Sequence, residues 1–162
     1  KNLDPVLRLR NKALVTVLLN SALRASELLS LRVSDIGENG HITVTGKGGK
    51  RRTVTIGRSG IAAVNDYLKT RTDSHGELWK TRTGSPLTRR GLQQVFNHVR
   101  VKSPITFTEG LYAHRFRHTA ITRLLRARVP LRSVQRYAGH SDPQTTLRYA
   151  QAIDADEASQ FL

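Results

Sequence analysis

The chain has 162 residues, a mass of 18.1 kDa, and 38% hydrophobic against 24% charged residues. That is one globular domain's worth of protein, able to bury about 68–70% of its unfolded surface. Cys 0 excludes disulfides, thiolate zinc and thiol nucleophiles and fits a reducing cytoplasm, and apolar runs such as 13–15 and 17–19 fall far short of the roughly 18 residues a membrane span needs. The 27 Lys+Arg outnumber the 12 Asp+Glu to leave +15, and 20 of those 27 are Arg. Such an excess of planar, bidentate cations calls for a polyanionic partner, and nucleic acid leads the field. With Met 0 and Lys1 at its start, the chain is expected to be a piece of something longer, with a partner domain missing.

In chain order, Asp4-Pro5 reads as an N-cap and first helical position. Val6, Leu9, Ala13, Leu14, Val17 and Leu18 then recur at helical spacing, so a first helix is expected over 5–19. After the break at Asn20-Ser21-Ala22, a short helix is expected over 24–31, which puts Arg24 at a helix start beside a turn. The period then changes to two at Ile42 and Val44, with Gly46-Lys47-Gly48-Gly49 as the turn and Val54 and Ile56 on the return strand. A third helix is expected over 59–70, a short strand at Leu78-Trp79, and a fourth helix carrying Leu92, Val95, Phe96 and Val99. Helices follow over 112–128 and 130–138, the latter closed by Gly139, and a last one opens at Asp142-Pro143 and runs through Ala150. The tail over 154–162 is acidic and mildly amphipathic, and with Ile153 it is a candidate for docking on a neighbouring protomer. The expected fold class is mainly α with a small antiparallel β-sheet, α+β.

Candidate chemistry gathers at basic positions. His114, Arg117 and His118 share one side of a helix. A zinc-binding His pair at this spacing would need Glu immediately after its first His, where Arg115 stands, and the surrounding arginines repel a divalent cation. Donation to a phosphate fits that neighbourhood better. Lys47 lies in a glycine-rich hairpin tip that brings an ammonium close to another backbone, although by itself this is an ordinary basic turn. Arg24 reads equally as a partner of Glu27, His140 as a residue after a helix cap, and Tyr149 as packing. From Ala113 to Tyr149, eight Arg face one acid, Asp142, which makes this segment a phosphate-binding surface under any DNA-binding hypothesis. Tyr137 is the tyrosine nearest to Tyr149 in the chain. It falls on an apolar stripe with Leu131, Val134 and Ala138, which favours packing; Tyr67 and Tyr112 have no matching neighbourhood.

Taken together and in order, these segments resemble the tyrosine recombinase family, the phage-integrase and Xer-like DNA recombinases, over nearly the whole chain. Leu23-Arg24-Ala25-Ser26-Glu27-Leu28 is similar to the family's first arginine box and Gly46-Lys47-Gly48 to its hairpin lysine. His114-Arg115-Phe116-Arg117-His118-Thr119 is similar to its His-x-x-Arg box. Gly139-His140-Ser141-Asp142, Thr145-Thr146 and Tyr149 resemble its closing box. Three departures stand out: Ala22 for a usual glycine, Tyr112-Ala113 for a small residue plus proline, and Ala138 for a usual leucine. The first bears on how the backbone aims Arg24.

The resemblance implies a tyrosine recombinase catalytic-domain fold that cleaves and rejoins DNA without metal, ATP or any other cofactor. Tyr149 would attack the scissile phosphate to give a 3′-phosphotyrosyl enzyme and a free 5′-hydroxyl. Arg24 and Arg117 would bracket the non-bridging oxygens, His140 would add a hydrogen bond, Lys47 would protonate the 5′-oxygen, and His114 would accept or orient the tyrosine proton. His118 would support or pack. Lys50, Arg51, Arg115, Arg123 and Arg148 are further candidate DNA contacts. The resemblance also implies an N-terminal DNA-clamping domain outside these residues, and a homotetramer on synapsed DNA in the full-length protein, with this piece alone monomeric. A type IB topoisomerase and a non-catalytic basic DNA-binding module are the alternatives.

Overall fold

The computed structural model describes residues 3–46, 49, 51–73, 76–107 and 109–159. Seven helices and one hairpin occupy them: α1 (Pro5–Ser21), α2 (Ala25–Leu29), β1 (His41–Thr45), β2 (Arg51–Thr55), α3 (Gly57–Leu68), α4 (Arg89–Lys102), α5 (Ala113–Arg126), α6 (Leu131–Ala138) and α7 (Pro143–Ser159). A single 3₁₀ turn, Val33–Asp35, follows α2. The chain is mainly helical with a two-stranded antiparallel sheet. Among the described residues no helix is long and apolar enough to cross a membrane.

The Asp4 carboxylate accepts from the Val6 N–H at 2.8 Å, with Pro5 in the first turn, and so starts α1 as its sequence predicts. The helix buries Ala13, Leu14, Val17 and Leu18 and packs on α3 and α5. It runs to Ser21, past the expected end at Leu19, because its last turn is held by side chains. Ser21 Oγ donates to the Val17 carbonyl at 2.6 Å, and Asn20 Nδ2 donates to the Ile56 carbonyl at 2.8 Å. Helix α2 stops at Leu29, short of Leu31, because the Leu31 carbonyl turns away to accept from the Leu78 N–H at 2.8 Å.

Ile42 pairs with Val54 and Val44 with Arg52 across the hairpin, so alternation puts Ile42, Val44 and Val54 on the buried face, and Arg52 with them. The strand expected at Leu78-Trp79 is absent. Both side chains are buried, whereas consecutive strand residues face opposite sides. Bridges form only on either side of them, Arg32 with Glu77 and Lys80 with Pro86. Trp79 instead donates its indole N–H to the Leu28 carbonyl at 2.8 Å and stacks on Tyr67.

Helix α3 begins and ends two residues before its expected bounds, and Thr70 closes it by donating its hydroxyl to the Tyr67 carbonyl. Helix α7 continues through Ser159, nine residues beyond the expected end, and buries Ile153 on its own domain. Residues 154–159 of the stretch expected to dock on a neighbouring protomer continue this helix. Phe161 and Leu162 lie outside the described residues.

The core falls into two clusters. The larger joins α1, α2, the hairpin, α3, α4 and Phe116 of α5. The smaller comprises Ala22, Ala120, Ile121, Val134 and Ala138, with Tyr149 and Leu124 against it. Tyr137 touches both. Leu131, expected on the same apolar stripe, is 37% exposed because it occupies the first position of α6, before the helix turns into the core.

Candidate active site

Helix α6 ends at the seam between the two clusters, where Gly139 takes the left-handed conformation (φ 67°) and leaves the last carbonyls without helical partners. Three guanidinium groups from three elements bind three successive carbonyl oxygens there. Arg52 Nε donates to Tyr137 at 3.0 Å, Arg117 Nη2 to Ala138 at 2.8 Å and Arg24 Nη2 to Gly139 at 2.8 Å. Cations at a helix C-terminus sit at the negative end of its dipole. Arg117 also donates through Nη1 to the Ala22 carbonyl at 2.5 Å, tying the end of α1 to the end of α6.

Glu27 is the anion that lets Arg24 and Arg52 stand together. Its carboxylate is buried and takes both terminal nitrogens of Arg52, at 2.8 and 2.9 Å. It also takes Arg24 Nη1 at 3.0 Å and the Arg24 backbone N–H at 2.8 Å. Burial alone would raise this carboxyl, but the hydrogen bonds from Arg52 and Arg24 hold it down at about 2. Burial and then the Arg24 charge push Arg117 down to about 10, so it remains protonated at neutral pH. Three guanidiniums against one carboxylate leave a net local positive charge. Arg24 keeps 40% of its side chain exposed, whereas Arg117 is recessed.

His140 follows this collar directly. Its Nδ1 lies 2.7 Å from Thr146 Oγ1 on α7. Burial, then Arg117, Arg24 and Arg52, lower the ring to about 4, so it is neutral at pH 7. Tyr149, one helical turn after Thr146, is half-buried, with its ring stacked at 6.1 Å on His140 and tilted against His118 at 4.9 Å. The structure thus brings Arg24, Arg117, His140 and Tyr149 to one place.

His114 is not part of that cluster. It is exposed at the start of α5 and stacks on Tyr112 at 5.9 Å, and no hydrogen bond joins it to Tyr149 among the described residues. Lys47 and Lys50 lie outside the described residues. Of the other candidate DNA contacts, Arg51, Arg123 and Arg148 are exposed, and Arg115 pairs with Glu109 at 2.5 Å. The Tyr137 hydroxyl is shared between the Asn20 and Thr55 carbonyls at 2.7 and 2.6 Å, and burial pushes it up to about 12, which leaves it a poor nucleophile.

Ala22, where the resemblance places glycine, adopts the left-handed region itself, at φ 52°. The turn into Arg24 therefore keeps a geometry that suits glycine. Sequence reasoning missed Arg52 and the part played by Glu27. The signal for Arg52 was strand alternation, which puts 52, 54 and 56 on one face; an arginine on a buried face needs a partner.

Residues 2–156 match the Phage integrase family. Tyrosine recombinase XerD of Halalkalibacterium halodurans is 36% identical over 152 residues, which cover 87% of this chain and 49% of that protein. Tyrosine recombinase XerC of Leptospira interrogans is 33% identical over 153 residues, covering 92% and 49%. The chain thus spans about half the length of these curated relatives. Among solved structures, the XerH site-specific recombinase bound to palindromic difH substrate is similar at a TM-score of 0.74 and 26% identity, over 92% of this chain and 44% of that one. The XerA recombinase shares the fold at a TM-score of 0.79 and 23% identity, over 94% and 56%. The chain belongs to the Phage integrase family.

Proposed function

We propose that this chain is the catalytic domain of a site-specific DNA recombinase that cuts and rejoins strands through a 3′-phosphotyrosyl intermediate. The observation that carries the reading is the collar of Arg24, Arg52 and Arg117 on the end of α6, with His140 next in the chain and Tyr149 stacked on it. A phosphodiester transfer needs a nucleophile, charge stabilisation at the pentacoordinate phosphorus and a proton for the leaving oxygen. The Tyr149 phenolate oxygen forms the new P–O bond, the bond to the 5′-oxygen breaks, and that oxygen takes a proton from Lys47. Arg24, the accessible member of the collar, and Arg117, the recessed one, stabilise charge on the non-bridging oxygens, and His140 adds an N–H. His114 is assigned the tyrosine proton, which requires α5 or the bound DNA to bring it closer than its place beside Tyr112. The 5′-hydroxyl attacks in reverse to reseal, with no nucleotide consumed.

The double-stranded partner holds to the exposed arginines, Arg51, Arg123 and Arg148 among them, with Lys50 and Arg115 added on DNA. Recombination is assigned to a homotetramer of the full-length protein on synapsed DNA, in the cytoplasm at the nucleoid. A type IB topoisomerase and a non-catalytic module are less favoured, the first because the relatives in hand are named recombinases, the second because a pure binder has no use for Tyr149 beside His140.

The deciding experiment incubates the intact protein with a nicked duplex carrying its site and looks for a denaturation-resistant protein–DNA adduct. Tyr149→Phe should abolish the adduct and keep binding, and a chelator should leave adduct formation unchanged. An adduct that persists in Tyr149→Phe, or that forms only with added metal, overturns the reading.

A further inference from the structure

We propose that Thr146 is a positioning residue that fixes His140 in the tautomer bearing its proton on Nε2, so that α7 delivers the nucleophile and the aligned histidine donor together. The inference rests on the function proposed above and deepens it. Thr146 is completely buried on α7, and among the described residues its hydroxyl has one hydrogen-bond partner, His140 Nδ1 at 2.7 Å. Either atom could hold the proton, and the surroundings choose between them.

The charged groups around His140 are Arg117 of α5, Arg24 before α2, Arg52 of β2 and Asp142 in the turn before α7. Three cations against one carboxylate disfavour an imidazolium, so the ring carries a single N–H. If that proton sat on Nδ1 and pointed at Thr146, the buried hydroxyl would have no acceptor for its own proton, an arrangement folded proteins avoid. With the hydroxyl donating to Nδ1, both groups are satisfied and Nε2–H is left to offer to a phosphate oxygen. A hydroxyl accepts and donates through a rotor, so without this partner the ring would distribute between tautomers and orientations.

Thr146 precedes Tyr149 by three positions, so the two lie on the same side of one helix. Seating that side against α5 and α6 places the Tyr149 ring on His140 and brings the hydroxyl to Nδ1 at the same time. A helix displaced from its seat would take away the nucleophile and leave His140 without its orienting partner. Cleavage by a half-assembled site would be disfavoured twice.

The test uses the intact protein labelled with ¹⁵N-histidine, together with Thr146→Val, which keeps the shape and removes the hydroxyl, and Thr146→Ser, which restores it. Long-range ¹H–¹⁵N spectra should show His140 with a protonated Nε2 and an accepting Nδ1 in the parent and in Thr146→Ser, and a shifted or mixed pattern in Thr146→Val. Adduct formation on the nicked duplex should slow by about tenfold to a hundredfold in Thr146→Val, the range seen when a metal-binding histidine loses the partner that orients it, with DNA affinity unchanged and most of the rate recovered in Thr146→Ser. A parent spectrum with the proton on Nδ1 overturns the inference even if the valine variant fails to fold. So does a Thr146→Val rate equal to that of the parent, or a Thr146→Ser loss as deep as that of valine. A parent protein that forms no adduct refutes the proposed function instead, and the tautomer spectrum still decides the role of Thr146.

Discussion

At Gly139 and Ala22, single backbone conformations decide what side chain the collar tolerates. A Cβ added at Gly139 would stand 2.8–2.9 Å from the Cζ, Nε and Nη1 atoms of Arg52, on a backbone already at φ 67°. Gly139→Ala should therefore cost the roughly 1–2 kcal/mol of the left-handed conformation and, in addition, push Arg52 off Glu27 and the Tyr137 carbonyl. The penalty should shrink when Arg52→Ala is already present, and additive losses in urea titrations of the two single variants and the double would disprove the clash. Ala22 illustrates the opposite balance. Its left-handed backbone costs roughly 1–2 kcal/mol, but its methyl is fully buried in the smaller cluster and contributes about 0.8 kcal/mol, and glycine would add about 0.5–1 kcal/mol of unfolded-chain freedom. These terms nearly cancel. Ala22→Gly should leave the unfolding midpoint within about 2 °C of the parent, whereas Ala22→Val, β-branched at positive φ, should lower it by several degrees. A large stabilisation by glycine would show that the strain is not offset by packing.

Among the elements, β2 separates two jobs that adjacent residues with one chemistry could share. Arg51 points to solvent and Arg52 to Glu27, because neighbouring strand residues face opposite sides. Arg51→Ala should weaken DNA binding evenly across sequences and reduce the slope of log affinity against log salt by about 1. Arg52→Lys keeps the charge but loses the two-pronged hold on Glu27, so it should slow adduct formation and leave the salt slope alone. The reverse pattern would mean that the strand register is misassigned. The same element shows how far the site could be read in advance. The arginine, histidine and tyrosine boxes are short segments whose residue types are visible in one dimension, and the helix starts at Asp4 and Asp142 and the cap at Gly139 are equally local. Alternation along β2 sets Arg52 on the buried face, but its partners, like the seat of Thr146, depend on which element meets which other element, and no single segment records that. The ends of α2 and α7 were missed for a related reason: the Leu31 carbonyl is claimed by Leu78, and Ile153 gains a buried site beyond the point where the helical pattern fades. His114 shares a helical side with Arg117, yet a small rotation around α5 suffices to leave it on Tyr112.

For the whole molecule, an excess of +15 means that folding depends on where the few carboxylates sit. Glu27 ionises at about 2 in the folded chain against an ordinary value of 4.5, so the unfolded chain takes up its proton first as the solution is acidified. Its contribution is complete above about 4.5 and is lost as pH falls toward 2. His140 acts in the same direction over a higher window. Its folded value near 4 lies below the ordinary 6.5, so protonation favours the unfolded chain, and stability is complete above about 6.5 and drains between 6.5 and 4. Two successive losses should therefore appear in chemical denaturation midpoints measured from pH 8 to pH 3. His140→Asn should flatten the upper one and keep the lower. Glu27→Gln should lower stability at neutral pH, because Arg52 and Arg24 lose their anion, and should flatten the lower one. Added salt should soften the acid limb without removing it, since screening eases the repulsion among surface cations but reaches the Glu27 pairs poorly. A midpoint unchanged from pH 7 to pH 4 in the parent would show that His140 titrates as an exposed imidazole and that the collar does not impose its charge on the site.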